Sequence, residues 1–582
     1  MAAYVAVLLV LAQLLPLRVA VSAAFVALLG CYLALLVAVP LVMTGPLRPG
    51  TALAILLAPC LAATTHLSSE PAVDRPVRVP SRSVLAALGG GAVLVVAVLL
   101  AARNGPYGAV AWTTSGDARN HLLDARGVIR AGGLHGQWLT GLPMFHEGVM
   151  ALLLDSHGRG TASGGALLRR DLHAYAATSA ALAVLWTLAT TALLLGFGRI
   201  RGRAAPVVVL AASLLPLAGL GLGVAMRDGF VPILLLQPLL LCSLAVLTWL
   251  TTTDDTGTPV TVAVGITALA LPLAATTWTP FFVVLCGACA VPWLLRLRGG
   301  RQRAARLALM AAGVLAGSAV CLAVISNTDG FLTLPGSIAA PSPVAAAVLP
   351  ALVLAMVAGR WAAARRLAFA PYAAGTLVAA GIVAWSVAEQ SPGQAWNYYP
   401  SKVAWIWALV TLPLLLLPFL RRRPGRVAGV AVVLVAALAL SPVASPVLPA
   451  SLGWAQTGLN HYPTVGTWTQ PTPSALELAV RLGDGRRHYV VYAVDPAQDR
   501  ITNFWLAVYT APPRSYFADP LVGWAYTETG TIQDVCALLG LQPGRVVATA
   551  DPAAQGQLEA QCGHPVEVRL VSGIHQQLRD TP

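Results

Sequence analysis

"GFVPILLLQPLLLCSLAVLTWLTT", Gly229 to Thr252, decides the fold of this chain. No charged side chain interrupts it. A helix of about 20 apolar residues spans the roughly 30 Å hydrocarbon core of a bilayer. A helix apolar on every side belongs in a large core or a membrane. Comparable runs lie near 3–17, 19–43, 50–66, 83–102, 174–196, 204–225, 258–275, 277–295, 307–325, 343–359, 367–388, 403–420 and 427–447. The first ends at Arg18 and is short for a crossing, so the spans number thirteen or fourteen. The totals agree: of 582 residues, 57% are hydrophobic and 10% charged, against about 25% charged in soluble domains. The expected fold is mostly α, a polytopic transmembrane helical bundle with a C-terminal α/β domain. No cleavable signal peptide is expected, because the first apolar run leads directly into another.

The formal charge of +14 at first suggests nucleic acid. Most of the arginine, however, lies in short connections: Arg75, Arg78 and Arg82; Arg199 to Arg203; Arg296 to Arg306; Arg360, Arg365 and Arg366; Arg421 to Arg426. Connections alternating with these carry little positive charge. The positive-inside rule puts the arginine-rich set in the cytoplasm, and no nucleic-acid partner is expected. Four regions result: N-terminal spans (1–102), a large outer loop (103–173), a transmembrane core (174–449) and an outer C-terminal domain (450–582). A plasma-membrane location follows.

The tail reads as soluble. "HYVVYAV" (488–494) and "RVVATA" (545–550) are β-rich, and "TIQDVCALLG" (531–540) has helical spacing. Its two cysteines, Cys536 and Cys562, are a disulfide candidate if the tail is outside, although sequence does not fix their separation. No Walker A motif, H-E-x-x-H or paired C-x-x-C appears, so an ATP-driven pump has no support.

Where acids are scarce, their positions inform. "SGDARNHLLDARGVIRAGG" (115–133) places Asp117, His121 and Asp124 at i, i+4 and i+7, one face of a helix. Leu122, Val128 and Ile129 form an apolar stripe that would let this helix lie along a membrane surface. "LPMFHEGVMALLL" (142–154) adds His146 and Glu147. Carboxylates with an imidazole suit base catalysis or a divalent ion, Mg or Mn, with Asp117, His121, Asp124 and Glu147 as possible ligands. The plainer reading of Asp117 is a helix cap, and of Arg119 and Arg126 surface charges.

A second singular stretch is "NYYPSK" (397–402). It contains the only lysine among 37 basic residues. Lys402 could be an anchor at a helix end. Arginine does every other anchoring job, which favours a specific role for this lysine. Trp396, Trp405 and Trp407 are expected at headgroup level.

The large outer loop with an early acid, its surface helix and "PMFHEG" resemble the GT-C superfamily of integral membrane glycosyltransferases. The outer Tyr-Tyr-x-x-Lys stretch, the outer C-terminal domain and "RSYFADPLVGWA" (514–525) look most like the actinobacterial cell-wall arabinofuranosyltransferases. The resemblance covers about 83 to 582. It departs from the family in the three or four apolar segments before the catalytic loop and in the lack of an adjacent acid pair. It implies a polyprenyl-phosphate-sugar donor, a cell-envelope glycan acceptor, and Asp117 as the base for the acceptor hydroxyl, with His121 and Asp124 beside it. Lys402, with Tyr398, Tyr399 and Arg227, would then meet the lipid phosphate, an ammonium acting as a point charge. His146 and Glu147 would contact donor or acceptor. Trp505, Tyr509, Tyr516, Phe517, Trp524 and Tyr526 could stack on sugar rings or simply form a core. A lipid-sugar flippase would instead need ionisable groups in mid-span or broken helices, and mid-span charges are nearly absent. A non-catalytic envelope scaffold leaves the acidic loop unexplained.

Overall fold

The computed structural model describes residues 2–42, 81–114, 116–131, 133–134, 144–156, 164–197, 205–297, 302–327, 343–360, 367–389, 398–417, 472–483, 488–495, 498–510 and 531–571. They are mostly helical. The longer helices are α1 (Ala2–Leu14), α2 (Leu17–Val42), α3 (Ser81–Ala101), α4 (Ala118–Ala131), α5 (Phe145–Ser156), α6 (Gly164–Gly196), α7 (Ala205–Leu214), α8 (Ile233–Thr252), α9 (Thr258–Thr277), α10 (Pro280–Arg296), α11 (Arg303–Asn327), α12 (Pro343–Arg360), α13 (Ala370–Glu389) and α14 (Tyr398–Leu414). Among the described residues, seven stretches are long and apolar enough to cross a membrane: Leu17–Val37, Gly164–Leu194, Ala205–Met226, Ile233–Thr252, Thr258–Thr277, Arg303–Ser326 and Leu367–Glu389. The expected spans 50–66 and 427–447 lie outside the described residues.

Helix α8, the stretch that opened the sequence reading, is buried on every face from Ile233 to Thr251. Its neighbours include α2, α6, α9 and α10, which explains why it has no polar side. The outer helices differ. On α11, Leu315 and Leu322 are 69% and 68% exposed, and on α3 Leu85 is 70% exposed. Apolar exposure on that scale suits hydrocarbon as the surrounding solvent.

Hydrogen bonds fix which helix ends lie together. Arg296, at the end of α10, donates to the carbonyls of Leu250 and Thr253, and Arg306 on α11 donates to the carbonyls of Arg296 and Thr256. One end of the array therefore gathers the finish of α8 and α10 with the start of α9 and α11. Helix α13 packs along α10, with Gly287 against Val378 and Gly375 against Ala288. Tyr372 meets Thr411 and the Trp407 indole donates to Thr376, so α13 runs antiparallel to α14, whose Tyr399 stacks on Trp278 at the finish of α9; the start of α13 therefore stands at the arginine end. Phe369, just before α13, packs on Phe197, just after α6, at 4.6 Å between centroids. The finish of α6 is thereby at the arginine end, and its start is at the other end.

Three expectations are refined. The run 204–225, expected as one span, remains long and apolar enough to cross as Ala205–Met226, but its helix is interrupted. Helix α7 stops at Leu214, a short turn carries Pro216, Gly221 has non-helical dihedrals, and helix resumes at Val224–Asp228. Pro216 cannot donate to the helical ladder, and the glycines of "GLGLG" (219–223) tolerate the irregular backbone that follows. The indole N–H of Trp405 takes up the freed carbonyl of Leu220 at 2.6 Å. Lys402 also does not sit in a connection. Tyr398 begins α14, and Pro400 lies in its first turn, where a missing N–H costs nothing. Trp405 and Trp407, expected at headgroup level, turn into the core at 0% and 3% exposure.

Residues 473–570 add α15 (Pro473–Gly483), β1 (Tyr489–Val491), α16 (Asp499–Thr510), α17 (Ile532–Leu541), β2 (Val546–Thr549), α18 (Ala554–Cys562) and β3 (Val568–Leu570). The strands pair in parallel in the order β1-β2-β3, with Tyr489 opposite Val546 and Val547 opposite Val568. β1 and β2 match the strands read from sequence. Gly164 at the start of α6 has φ +57°, and a Cβ there would meet the carbonyl oxygen of Gly483 at 2.3 Å. The end of α15 thus rests directly on the start of α6.

Cys536 on α17 and Cys562 on α18 form a disulfide with Cα atoms 5.2 Å apart. It closes a loop 26 residues apart in sequence, which by loop entropy contributes about 3.5 kcal/mol. Replacing both cysteines by serine is expected to lower the unfolding midpoint of the tail, measured by denaturant titration in detergent, and to leave the helical array folded. An unchanged midpoint would mean that the two helices are held by packing alone.

Candidate functional site

The acids and imidazoles of the large loop come together where α4 crosses α5. The carbonyl of Asp117 accepts the first helical bonds, from Asn120 and His121, so Asp117 occupies the cap position of α4. Its carboxylate accepts from the Asn120 side chain at 3.3 Å and remains partly exposed. One turn on, the His121 Nδ1 lies 2.5 Å from Oε1 of Glu147. Glu147 and His146 are neighbours in the first turn of α5, and His146 Nδ1 stands 3.5 Å from the same oxygen. The two imidazole rings meet edge to face, 5.8 Å between centroids. Asp124 completes the group, 9% exposed.

Helix α4 does not lie on a surface as its stripe suggested. Leu122, Val128 and Ile129 are 0%, 0% and 3% exposed and pack into the protein core. The Tyr175 hydroxyl on α6 donates to the Ala118 carbonyl and ties α4 down. The apolar stripe was read correctly, but its partner is protein.

Burial sets the charge states. It tends to lower the imidazole pKa of His121, yet the hydrogen bond and charge of Glu147, helped by Asp117 and Asp124, leave it raised above the ordinary value. Burial would raise Glu147; its contacts with His121 and His146 outweigh this and hold it below the carboxylate range. Asp124 is pushed well above that range, first by burial and then by the negative charge of Glu147. His146 is lowered, chiefly by burial. The group thus sets Glu147, held low by two imidazoles, beside an Asp124 that burial raises. Three of these, His121, His146 and Glu147, have ligand-type atoms within 4.8 Å of one another. Sequence pointed to Asp117, His121, Asp124 and Glu147 for a metal; the structure keeps His121 and Glu147 together and brings in His146 in place of the two aspartates.

Lys402 forms a second centre. It is 3% exposed, with Nζ 3.5 Å from the centroid of the Phe230 ring and 5.6 Å from that of Trp278. Tyr399 stacks on Trp278 at 6.0 Å. An ammonium over aromatic faces is stabilised by their quadrupoles. Phe230 precedes α8 and Trp278 follows α9, so this centre is at the end opposite Arg296. Tyr175, near the start of α6, is at that end as well, and it carries the α4–α5 group. The two centres thus face the same end of the array. The side chains of Tyr398 and Arg227 lie outside the described residues.

Arg119 and Arg126 are not surface charges. Arg119 is 1% exposed with its guanidinium 4.3 Å over the ring of Phe504. Arg126 pairs with Asp171 on α6 at 3.2 Å, and the Tyr509 hydroxyl donates to the same carboxylate oxygen at 3.0 Å. Helix α16 is thereby clamped beside the α4–α5 group. Trp505 and Tyr509 are core residues here, at 0% and 7% exposure. Tyr516, Phe517, Trp524 and Tyr526 lie outside the described residues. Asp171 escaped the sequence reading, although the rarity of acids that singled out Asp117 applies equally to "RRDLH" (169–173). Phe230 and Trp278 gave no signal, since aromatics beside spans are common.

Comparison with protein families, characterised proteins and solved structures finds no match to this chain.

Removing the clamp tests its weight. Asp171→Ala leaves the Arg126 charge without this partner and the Tyr509 hydroxyl without its acceptor, at a cost of about 3 kcal/mol. Limited proteolysis should then cut α16 faster than in the parent chain, whereas Tyr509→Phe should cost about 1 kcal/mol. Equal cleavage rates for Asp171→Ala and the parent would remove the clamp.

Proposed function

We propose that the chain is an integral membrane glycosyltransferase of the GT-C kind. It transfers a sugar, arabinofuranose or mannose, from a polyprenyl-phosphate donor to an envelope glycan at the outer face. The observation that carries this reading is the pairing of two centres at one end of the array: the carboxylate–imidazole group with Asp117 at its rim, and the Lys402 ammonium among aromatic rings.

Sidedness has two independent supports. The arginine-rich connections mark the opposite end as cytoplasmic. The Cys536–Cys562 disulfide belongs to an oxidising compartment, and its segment continues from α15 and α16, which rest on the start of α6. In this reading the seven long helices, the shorter apolar ones and the runs outside the described residues make thirteen or fourteen spans. Residues 450–582 then form an α/β unit outside the membrane.

The chemistry is a displacement. An acceptor hydroxyl oxygen bonds to the anomeric carbon, and the bond from that carbon to the lipid-phosphate oxygen breaks. The phosphate leaves with the electron pair. Asp117 takes the hydroxyl proton, being the exposed acid of the group. His121, oriented through Nδ1 by Glu147, stabilises the negative charge that gathers there. Lys402 balances the charge of the leaving phosphate at the membrane edge. Asp124, buried in the same group, supports the geometry.

The broken helix at 215–223 favours a second reading, a flippase for the same lipid-linked sugar, since interrupted helices near mid-span are a transporter feature. One assay separates them. Purified protein in proteoliposomes is given a polyprenyl-phospho-sugar and an acceptor glycan. The enzyme reading expects sugar transfer that falls by about 10²–10⁴-fold in Asp117→Asn and weakens in Lys402→Met through a raised KM for the donor. Transfer undiminished in Asp117→Asn would remove the base assignment; lipid crossing leaflets with no transfer would establish the flippase.

A further inference from the structure

We propose that His121, His146 and Glu147 form a site for one divalent transition-metal ion of the zinc type. The inference stands on these side chains and holds whichever reaction the chain carries. Three features argue for it. First, the donor atoms already converge: His121 Nδ1 and His146 Nδ1 lie 2.5 and 3.5 Å from Oε1 of Glu147, and all three residues offer an atom within 4.8 Å of the others. In a tetrahedral site with bonds near 2.0–2.1 Å, neighbouring ligand atoms are about 3.4 Å apart. Small rotations of the two rings reach that arrangement.

Second, the group holds buried polar atoms without a partner. Both ring nitrogens of His146 and Oε2 of Glu147 lack a hydrogen bond among the described residues, at 0% and 2% residue exposure. A buried donor or acceptor left unmade is costly, and three in one place mark a missing ligand. A cation accepting lone pairs from both imidazoles and the carboxylate satisfies them together. Third, the frame is rigid and open on one side. His146 and Glu147 are adjacent in the first turn of α5, while His121 comes from α4 and its side chain is 19% exposed. Solvent thus reaches the site through His121, which leaves a fourth position for water or substrate. Asp124, a turn beyond His121, is placed to orient a ligand from behind.

The ligand set selects the metal class. Two imidazoles and one carboxylate suit zinc or its first-row neighbours, whereas magnesium and calcium favour all-oxygen cages.

The test uses the full chain, without a histidine tag, purified in detergent and stripped with chelator. It is incubated with zinc, desalted, and its metal measured by mass spectrometry; cobalt(II) serves as a spectroscopic probe of tetrahedral geometry. The expected result is one zinc per chain and a tetrahedral cobalt spectrum. His121→Gln and Glu147→Gln should each weaken binding at least about tenfold, and His173→Gln should leave it intact. His146→Gln is fully buried and is open to misfolding; the partly exposed His121→Gln keeps the test decisive when its elution from size exclusion matches the parent. Substoichiometric zinc in the folded parent, unchanged affinity in both His121→Gln and Glu147→Gln, or magnesium binding as tightly as zinc would each overturn the site.

Discussion

A chain with one charged residue in ten must satisfy its buried polar groups from within. That constraint organises the structure. In hydrocarbon no water is at hand to complete a hydrogen bond, and each orphaned backbone group costs several kcal/mol. Where helices end or break, side chains from other helices step in. Arg296 and Arg306 hold the carbonyls at the turn between α8 and α9. Gln237, fully buried on α8, donates to the carbonyl of Ile406. Trp405 takes the carbonyl exposed by the break after α7. These bonds choose which helix ends meet, and so determine that the acid–imidazole group and Lys402 share an end.

The same constraint separates what sequence reveals from what it hides. The helices were legible because long apolar runs have one physical meaning at that length. The disulfide partners were legible because a tail read as lying outside the membrane would allow them, although only three-dimensional placement brings their Cα atoms to 5.2 Å. Asp117, His121 and Asp124 could be singled out by scarcity. The partnership between His121 and Glu147 could not, because the two are 26 residues apart with an intervening stretch whose path no periodicity predicts. The amphipathic face of α4 was visible, but a stripe of leucine and valine does not say whether lipid or protein covers it. Helix α14 was misjudged in the other direction: a Tyr-Tyr-Pro sequence resembles a loop, yet proline is acceptable in a first turn.

The two centres use different physics for their charges. In the α4–α5 group, contacts with His121 and His146 hold Glu147 low, while burial raises Asp124. Lys402 instead relies on ring quadrupoles, with Phe230 closest.

The bond from Trp405 to Leu220 has a mechanical meaning. Trp405 lies one turn below Lys402 on the same helix, and Leu220 lies in the irregular glycine-rich backbone between two helical pieces. A tilt of α14 that moves the ammonium also tugs this backbone, which has little rigidity of its own to resist. The Lys402 end of α14 and the irregular backbone after α7 are thereby coupled mechanically through this indole.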